Sequence, residues 1–213
     1  MQSISCYHFL IVLYPDVIFG NPLKAKYVIR WLLYYSRYTN TNQYSDKDLF
    51  IAYRKIFNNK VLNPKEHVVT ISYFNNNVFK QYNFGDRSGN CYLLRKGKNR
   101  LDLPSSFDGP VFDNINNDRE WVKILNNCKF CYSYDTQSFY NKIAAVCGCI
   151  PVVILEPDKS VTDYFGPEEN HFGVAYGNNQ EQIEYALNTR QTMLDNLDFT
   201  KSNIDNAYNL VKI

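Results

Sequence analysis

No stretch of this 213-residue chain approaches the ~18 consecutive apolar residues of a membrane-crossing helix. The nearest candidate for a signal core, 7–14, lacks both a basic leader and a small-residue cleavage site. Charge of one sign is also missing. With 23 Lys and Arg against 21 Asp and Glu the net charge is +2, too near neutral to argue for nucleic acid or a strongly anionic surface. The chain has no Walker loop and no G-x-G-x-x-G, which weighs against ATPase, kinase and nicotinamide chemistry, and no G-x-S-x-G nucleophile elbow. Its 3 His, His8, His67 and His171, have no acidic or Cys partner at catalytic spacing. Internal repeats and low-complexity tracts are absent.

What is present suits an α/β protein. Hydrophobic content of 45% with 21% charge is that of a soluble globular chain. The segment 129–134 is short, aromatic and bounded by polar residues, as a strand is. Asp135 and Thr136 then offer oxygens to cap a helix with Ile143, Ala144 and Val146 on its apolar side, and Gly148 stops it. The segment 149–155 is almost continuously apolar and β-branched, as in a parallel strand buried on both faces. In an open parallel sheet ligands bind beyond the carboxyl ends of the strands, where Asp135, Thr136 and Ser138 fall.

The same patterns predict strands over 8–14, 68–74, 91–94, 111–115 and 173–176, and helices over 21–33, 49–57, 118–127, 180–197 and 202–211. In the first of these helices Asn21 is the N-cap, Pro22 takes the first position, and Ala25, Val28, Ile29, Leu32 and Leu33 form the stripe. The polar segment 83–90, with Gly85 and Gly89, marks a hinge. Residues 1–85 are thus expected to form a partial N-terminal α/β segment, and 86–213 a Rossmann-like domain, a parallel sheet with flanking helices.

Six cysteines raise disulfides and metal. Cys128 and Cys131 have C-x-x-C spacing, Cys147 and Cys149 follow, and Cys6 and Cys91 sit in predicted strands. These positions begin or end buried elements, where free Cys acts as a small hydrophobe, so reduced thiols and no metal site are expected.

Arg95, Lys96 and Lys98 around Gly97 form the main basic cluster. A diphosphate needs positive charge where negative charge develops, and Gly97 would let the backbone approach phosphates. The competing view is a solvated basic turn. Gly20 and Asn21 either bind an anion at a helix N-terminus or simply cap it, and Asp135 and Thr136 have the same two roles open to them. Asp16, just past the first strand, is the candidate general base of an inverting reaction.

Five segments in order, 13–33 (LYPDVIFGNPLKAKYVIRWLL), 89–98 (GNCYLLRKGK), 132–135 (YSYD), 147–153 (CGCIPVV) and 173–177 (GVAYG), resemble bacterial surface-polysaccharide glycosyltransferases. The small-residue helix followed by Cys147-Gly148 and Pro151-Val152-Val153 is similar to the nucleotide-sugar-binding half of a GT-B glycosyltransferase. The resemblance covers most of the chain. In that family two carboxylates, seven residues between them, flank the helix start and serve the donor sugar and ribose. The first falls on Asp135 and the second on Ile143, whose apolar side chain cannot accept a ribose hydroxyl, so Asp135 alone carries over. Glu156 and Ser160, past the 149–155 strand, would meet the nucleoside, Glu156 taking ribose hydroxyls.

The resemblance implies transfer from a nucleotide-diphosphate sugar to a glycan or lipid-linked acceptor in surface polysaccharide synthesis, with no metal or other cofactor and no nucleic-acid partner. It implies a cytoplasmic protein, peripheral association with the inner face of the membrane being left open. Residues 1–85 are expected to be the remnant or end of the acceptor-side domain, the rest supplied by a partner or a missing domain. The alternative is a non-catalytic nucleotide-sugar-binding or interaction module left from a truncated glycosyltransferase.

Overall fold

The computed structural model of the protein describes residues 11–34, 43–113, 117–166, 169–197, 203–206 and 208. The chain divides into two compact units, Met1–Ser72 with Phe199–Ile213, and Tyr73–Asp198.

The first unit holds a three-stranded parallel sheet, β1 Ile11–Pro15, β2 Tyr27–Leu32 and β3 Leu49–Ala52, in that order. The helix expected over 21–33 is therefore a turn followed by a strand. Its helical stripe coexists with a period of two in which Val28, Arg30 and Leu32 are buried. The β-branched and aromatic run Tyr27, Val28, Ile29 and Trp31 is stiff at χ1, and it pairs with β1 on one side and β3 on the other. The helix expected over 49–57 is likewise β3 and a 3-10 turn, Lys55–Phe57. The strand expected over 68–74 contributes one bridge, Val68 to Ala52, among the described residues.

Arg30, 1% exposed, organises this unit. Its Nε donates to Asp48 Oδ2 at 2.7 Å, Nη1 to the Ile18 carbonyl at 2.7 Å and Nη2 to the Gly20 carbonyl. The rings of Tyr14 and Tyr44 lie 5.0 and 5.3 Å away. A buried guanidinium is tolerable when it is paired and hydrogen-bonded in this way. Residues 203–206 and 208 are helical, and Asn203 Oδ1 accepts the Ser72 amide at 2.8 Å. The rest of the 202–211 expectation, like residues 8–10, lies outside the described residues.

The second unit is a five-stranded, wholly parallel sheet in the order β5-β4-β6-β7-β8: β4 Asn90–Leu93, β5 Val111–Phe112, β6 Phe130–Ser133, β7 Ile150–Val153 and β8 Ala175–Tyr176. Three helices flank it: α1 Asp118–Asn127, α2 Tyr140–Val146 and α3 Gln180–Asp195. This is an α/β fold with parallel sheets and flanking helices, compatible with a Rossmann-like architecture. One face, with Cys91, Leu93 and Cys131, packs on Trp121 and Leu125 of α1 and Ile143 and Ala144 of α2. On the other, Val152 and Ala175 meet Ile183 and Ala186 of α3.

Asn117 Oδ1 caps α1 by accepting the amides of Arg119 and Glu120, and Asn179 Oδ1 caps α3 by accepting that of Gln182. Asp135 and Thr136 do not cap α2. That helix begins five residues after Asp135, at Tyr140, and its N-cap Phe139 offers no side-chain oxygen. Cys91, Cys128, Cys131, Cys147 and Cys149 are all free and buried, while Cys6 lies outside the described residues. Among the described residues no helix is long and apolar enough to cross a membrane, and no group of three or more His, Cys, Asp or Glu is placed to hold a metal ion.

Candidate functional site

β4 and β6 run side by side in register, Asn90 with Phe130 through Leu93 with Ser133, so the chain leaves both strands at one place. After Leu94 it enters a 3-10 turn, Arg95–Gly97, with Arg95 at φ +33, a left-handed conformation that strains any residue but glycine. Gly97 sits so close to the loop after β6 that a Cβ on it would stand 2.1 Å from the Tyr134 carbonyl oxygen. The close approach expected of Gly97 is therefore made to the protein's own backbone. Its amide is also taken, donating to the Leu94 carbonyl at 2.6 Å, and the Lys98 amide donates to Arg95.

That contact sets Arg95 beside Asp135. Arg95 Nη1 lies 3.9 Å from Asp135 Oδ2 and 3.5 Å from Ser138 Oγ, and the guanidinium rests 4.6 Å from the centre of the Tyr140 ring. Asp135 is only 1% exposed, and its carboxylate oxygens make no well-formed hydrogen bond, the Ser138 hydroxyl and the Lys96 amide approaching only as weak donors. Its main chain, by contrast, is held firmly. The Asp135 carbonyl accepts from Ser133 Oγ and from Asn141 Nδ2, each at 3.1 Å, and Asn141 Oδ1 is itself left unpartnered. Burial pushes the Asp135 carboxyl above its ordinary pKa, a shift opposed by the charges of Lys96 and Arg95. An acid in such surroundings can accept hydroxyl donors from a ligand and meet its cationic parts.

Other candidates gather at the same ends of the strands. Thr136 is buried and its carbonyl accepts the Tyr176 hydroxyl at 2.7 Å, which ties the end of β8 to the loop after β6. Lys96 and Lys98 are exposed on the β4 turn. Glu156 follows β7, donating its amide to the Tyr164 hydroxyl at 3.2 Å. Ser160 serves as an N-cap: its amide and hydroxyl both bond Asp163 Oδ2, at 2.8 and 2.9 Å.

Arg100 escapes sequence reasoning. It donates to the carbonyls of Ile154 and Leu155, each at 2.7 Å, and pairs with Asp102 through both carboxylate oxygens, so it pins the β4 turn to the end of β7. Its only sequence signal is membership of the basic run 95–100.

The remaining candidates belong to the first unit. Asp16 is buried, its amide donating to the Trp31 carbonyl at 3.0 Å and its carbonyl accepting the Tyr44 hydroxyl at 2.7 Å. Burial and then the Asp16 charge push the Tyr44 phenol up. Asn21 accepts the Ala25 amide at 2.9 Å and donates to the Ala25 carbonyl at 2.8 Å, closing a turn. The helix N-terminus on which an anion at Gly20 and Asn21 depended is therefore not formed.

No family model, curated protein or solved structure matches this chain.

Proposed function

We propose that the second unit binds a nucleotide-diphosphate sugar in the crevice between the loops after β4 and β6, and that the protein is a glycosyltransferase of the GT-B type acting in surface polysaccharide synthesis. The observation that supports this is Asp135, a carboxylate withdrawn from water at the carboxyl end of the central strand β6, with one long ion pair to Arg95 and no well-formed hydrogen bond to either oxygen. Such a group is costly to bury and belongs where a ligand completes its hydrogen bonds. Asp135 lies beyond the carboxyl end of its strand, where open parallel sheets take their ligands.

In this proposal Asp135 accepts hydroxyls of the sugar or ribose, Arg95 and Lys96 neutralise the diphosphate as it leaves, and the Tyr140 ring and Ser138 hold Arg95 in place. Glu156 receives the nucleoside side. The acceptor is a glycan or a lipid-linked saccharide.

Calorimetric titration of the full chain with a panel of nucleotide-diphosphate sugars tests the proposal. Saturable binding to one of them, lost in Asp135→Asn and weakened in Arg95→Gln, is expected. A panel in which nothing binds, or binding that neither substitution changes, overturns it.

A further inference from the structure

A second feature lies at the opposite ends of the strands, before β7. Two arginines converge on the last carbonyls of α2. Arg190, on α3, donates from Nε to the Ala145 carbonyl at 2.7 Å and from Nη2 to the Val146 carbonyl at 3.3 Å and to Gln81 Oε1 at 2.7 Å. Arg87 donates from Nη2 to the Cys147 carbonyl at 2.9 Å and from Nη1 to that of Leu125 at 2.8 Å. Gly148, at φ +86, turns the chain out of α2 beneath them, and a Cβ there would stand 2.5 Å from Arg87 Nη2 and 2.7 Å from Gln81 Cδ.

The charges do not balance. A helix C-terminus carries about half a negative elementary charge, so the ends of α2 and, through Leu125, of α1 together supply about one against two guanidinium charges. Among the described residues no carboxylate pairs with either arginine. Burial lowers the Arg190 pKa, and repulsion from Arg87 adds to it. Arg190 Nη1 makes no hydrogen bond among the described residues. Arg190 and Gln81 also line a cleft of about 170 Å³, together with the apolar side chains of Ile150, Pro151, Ala186 and Leu187.

We propose that this cleft binds a small organic oxyanion, a phosphate monoester or a carboxylate with an apolar body, whose charged end meets Arg190 and whose body lies on Ile150, Pro151 and Leu187. The anion supplies the missing counter-charge and uses the donors of Nη1, and the apolar wall selects against bare inorganic ions. This site does not depend on the Asp135 crevice.

Phenyl phosphate, benzoate and inorganic phosphate, titrated calorimetrically into the full chain at low ionic strength, form the test. Phenyl phosphate or benzoate is expected to saturate with a Kd of about 1 mM or tighter, and the tighter of the two names the anionic group. Leu187 is 50% exposed and one turn from Arg190 on α3, so it can be changed without touching the bonds of Arg190 to α2. Leu187→Asp is expected to weaken binding at least about tenfold and Leu187→Lys to preserve or tighten it. Absence of saturable binding by both organic probes, or a Leu187→Asp protein that binds as the wild type does, overturns the proposal. Inorganic phosphate binding as tightly as phenyl phosphate overturns the role given to the apolar wall. Asp135→Asn is expected to leave all three titrations unchanged, so failure here and failure at the donor crevice are separable.

Discussion

Removing the charge of Asp135 is expected to stabilise the protein while abolishing its proposed function. The attraction between Asp135 and Arg95 across 3.9 Å amounts to about 4 kcal/mol at an effective dielectric constant of about 20. Taking a carboxylate out of water costs several kcal/mol, and here only weak donors, the Ser138 hydroxyl and the Lys96 amide, offset that cost. The opposing contributions are of similar size, and the upward displacement of the Asp135 pKa by burial gives the sign: folding disfavours the charged form relative to the unfolded chain. Asp135→Asn keeps the shape and removes the charge, so a gain of about 1 kcal/mol at neutral pH is expected, or about 2–4 °C in Tm.

The gain must depend on pH. Below the ordinary carboxylate pKa of 3.8 both proteins hold a neutral side chain and their stabilities converge. As pH rises through the elevated folded-state value the wild type loses the stability of its protonated acid and the variant does not, so the gap opens and then levels off. Urea denaturation of both proteins from about pH 3 to about pH 8 measures this, with donor titrations on the same samples. A variant less stable than the wild type at neutral pH would refute the reasoning, because it would mean that the carboxylate is satisfied in the folded state.

Three further outcomes are expected. Gly97→Ala places a Cβ 2.1 Å from the Tyr134 carbonyl oxygen, so it should cost about 1–3 kcal/mol in urea denaturation and weaken donor binding by moving Arg95 away from Asp135. Asp48→Ala leaves the buried Arg30 charge unpaired and should cost about 3–5 kcal/mol, read by calorimetry as an earlier transition of the first unit. Donor binding should be the same with and without a chelator, since Arg95 and Lys96 supply the positive charge that the diphosphate requires; loss of binding on chelation would count against the GT-B proposal.

The second unit was largely legible in the sequence because its elements carry their own punctuation. α1 spans the 118–127 expected of it, and β7 announces itself by a short, almost continuously apolar and β-branched run. β2 was misread for an equally physical reason. From 25 to 33 the apolar positions satisfy a helical period, and an Asn-Pro start reinforces it. Pairing with both β1 and β3, together with the burial of Arg30, decides in favour of the strand, and neither is local. Asp135 shows the same limit. Its neighbourhood fits a helix cap, and the approach of Gly97 to Tyr134 from the loop after β4 takes part in enclosing the carboxylate beside Arg95.

That approach also bears on how a diphosphate would be held. A phosphate-binding loop works through free amides aimed at the ligand, but here the amides of Gly97 and Lys98 are committed to the carbonyls of Leu94 and Arg95, and the space above Gly97 is filled by Tyr134. The proposed diphosphate must then be met by side chains, by Arg95 fixed against Tyr140 and by the exposed Lys96. Contacts made by exposed cations are screened by salt over about 10 Å at 0.1 M. Donor affinity should therefore fall as ionic strength rises, chiefly through Lys96, whereas a loop built on backbone amides would hold its ligand with little dependence on salt. Titration of Lys96→Gln across a salt series separates the two: a flattened salt dependence supports recognition by side chains, and an unchanged slope refutes it.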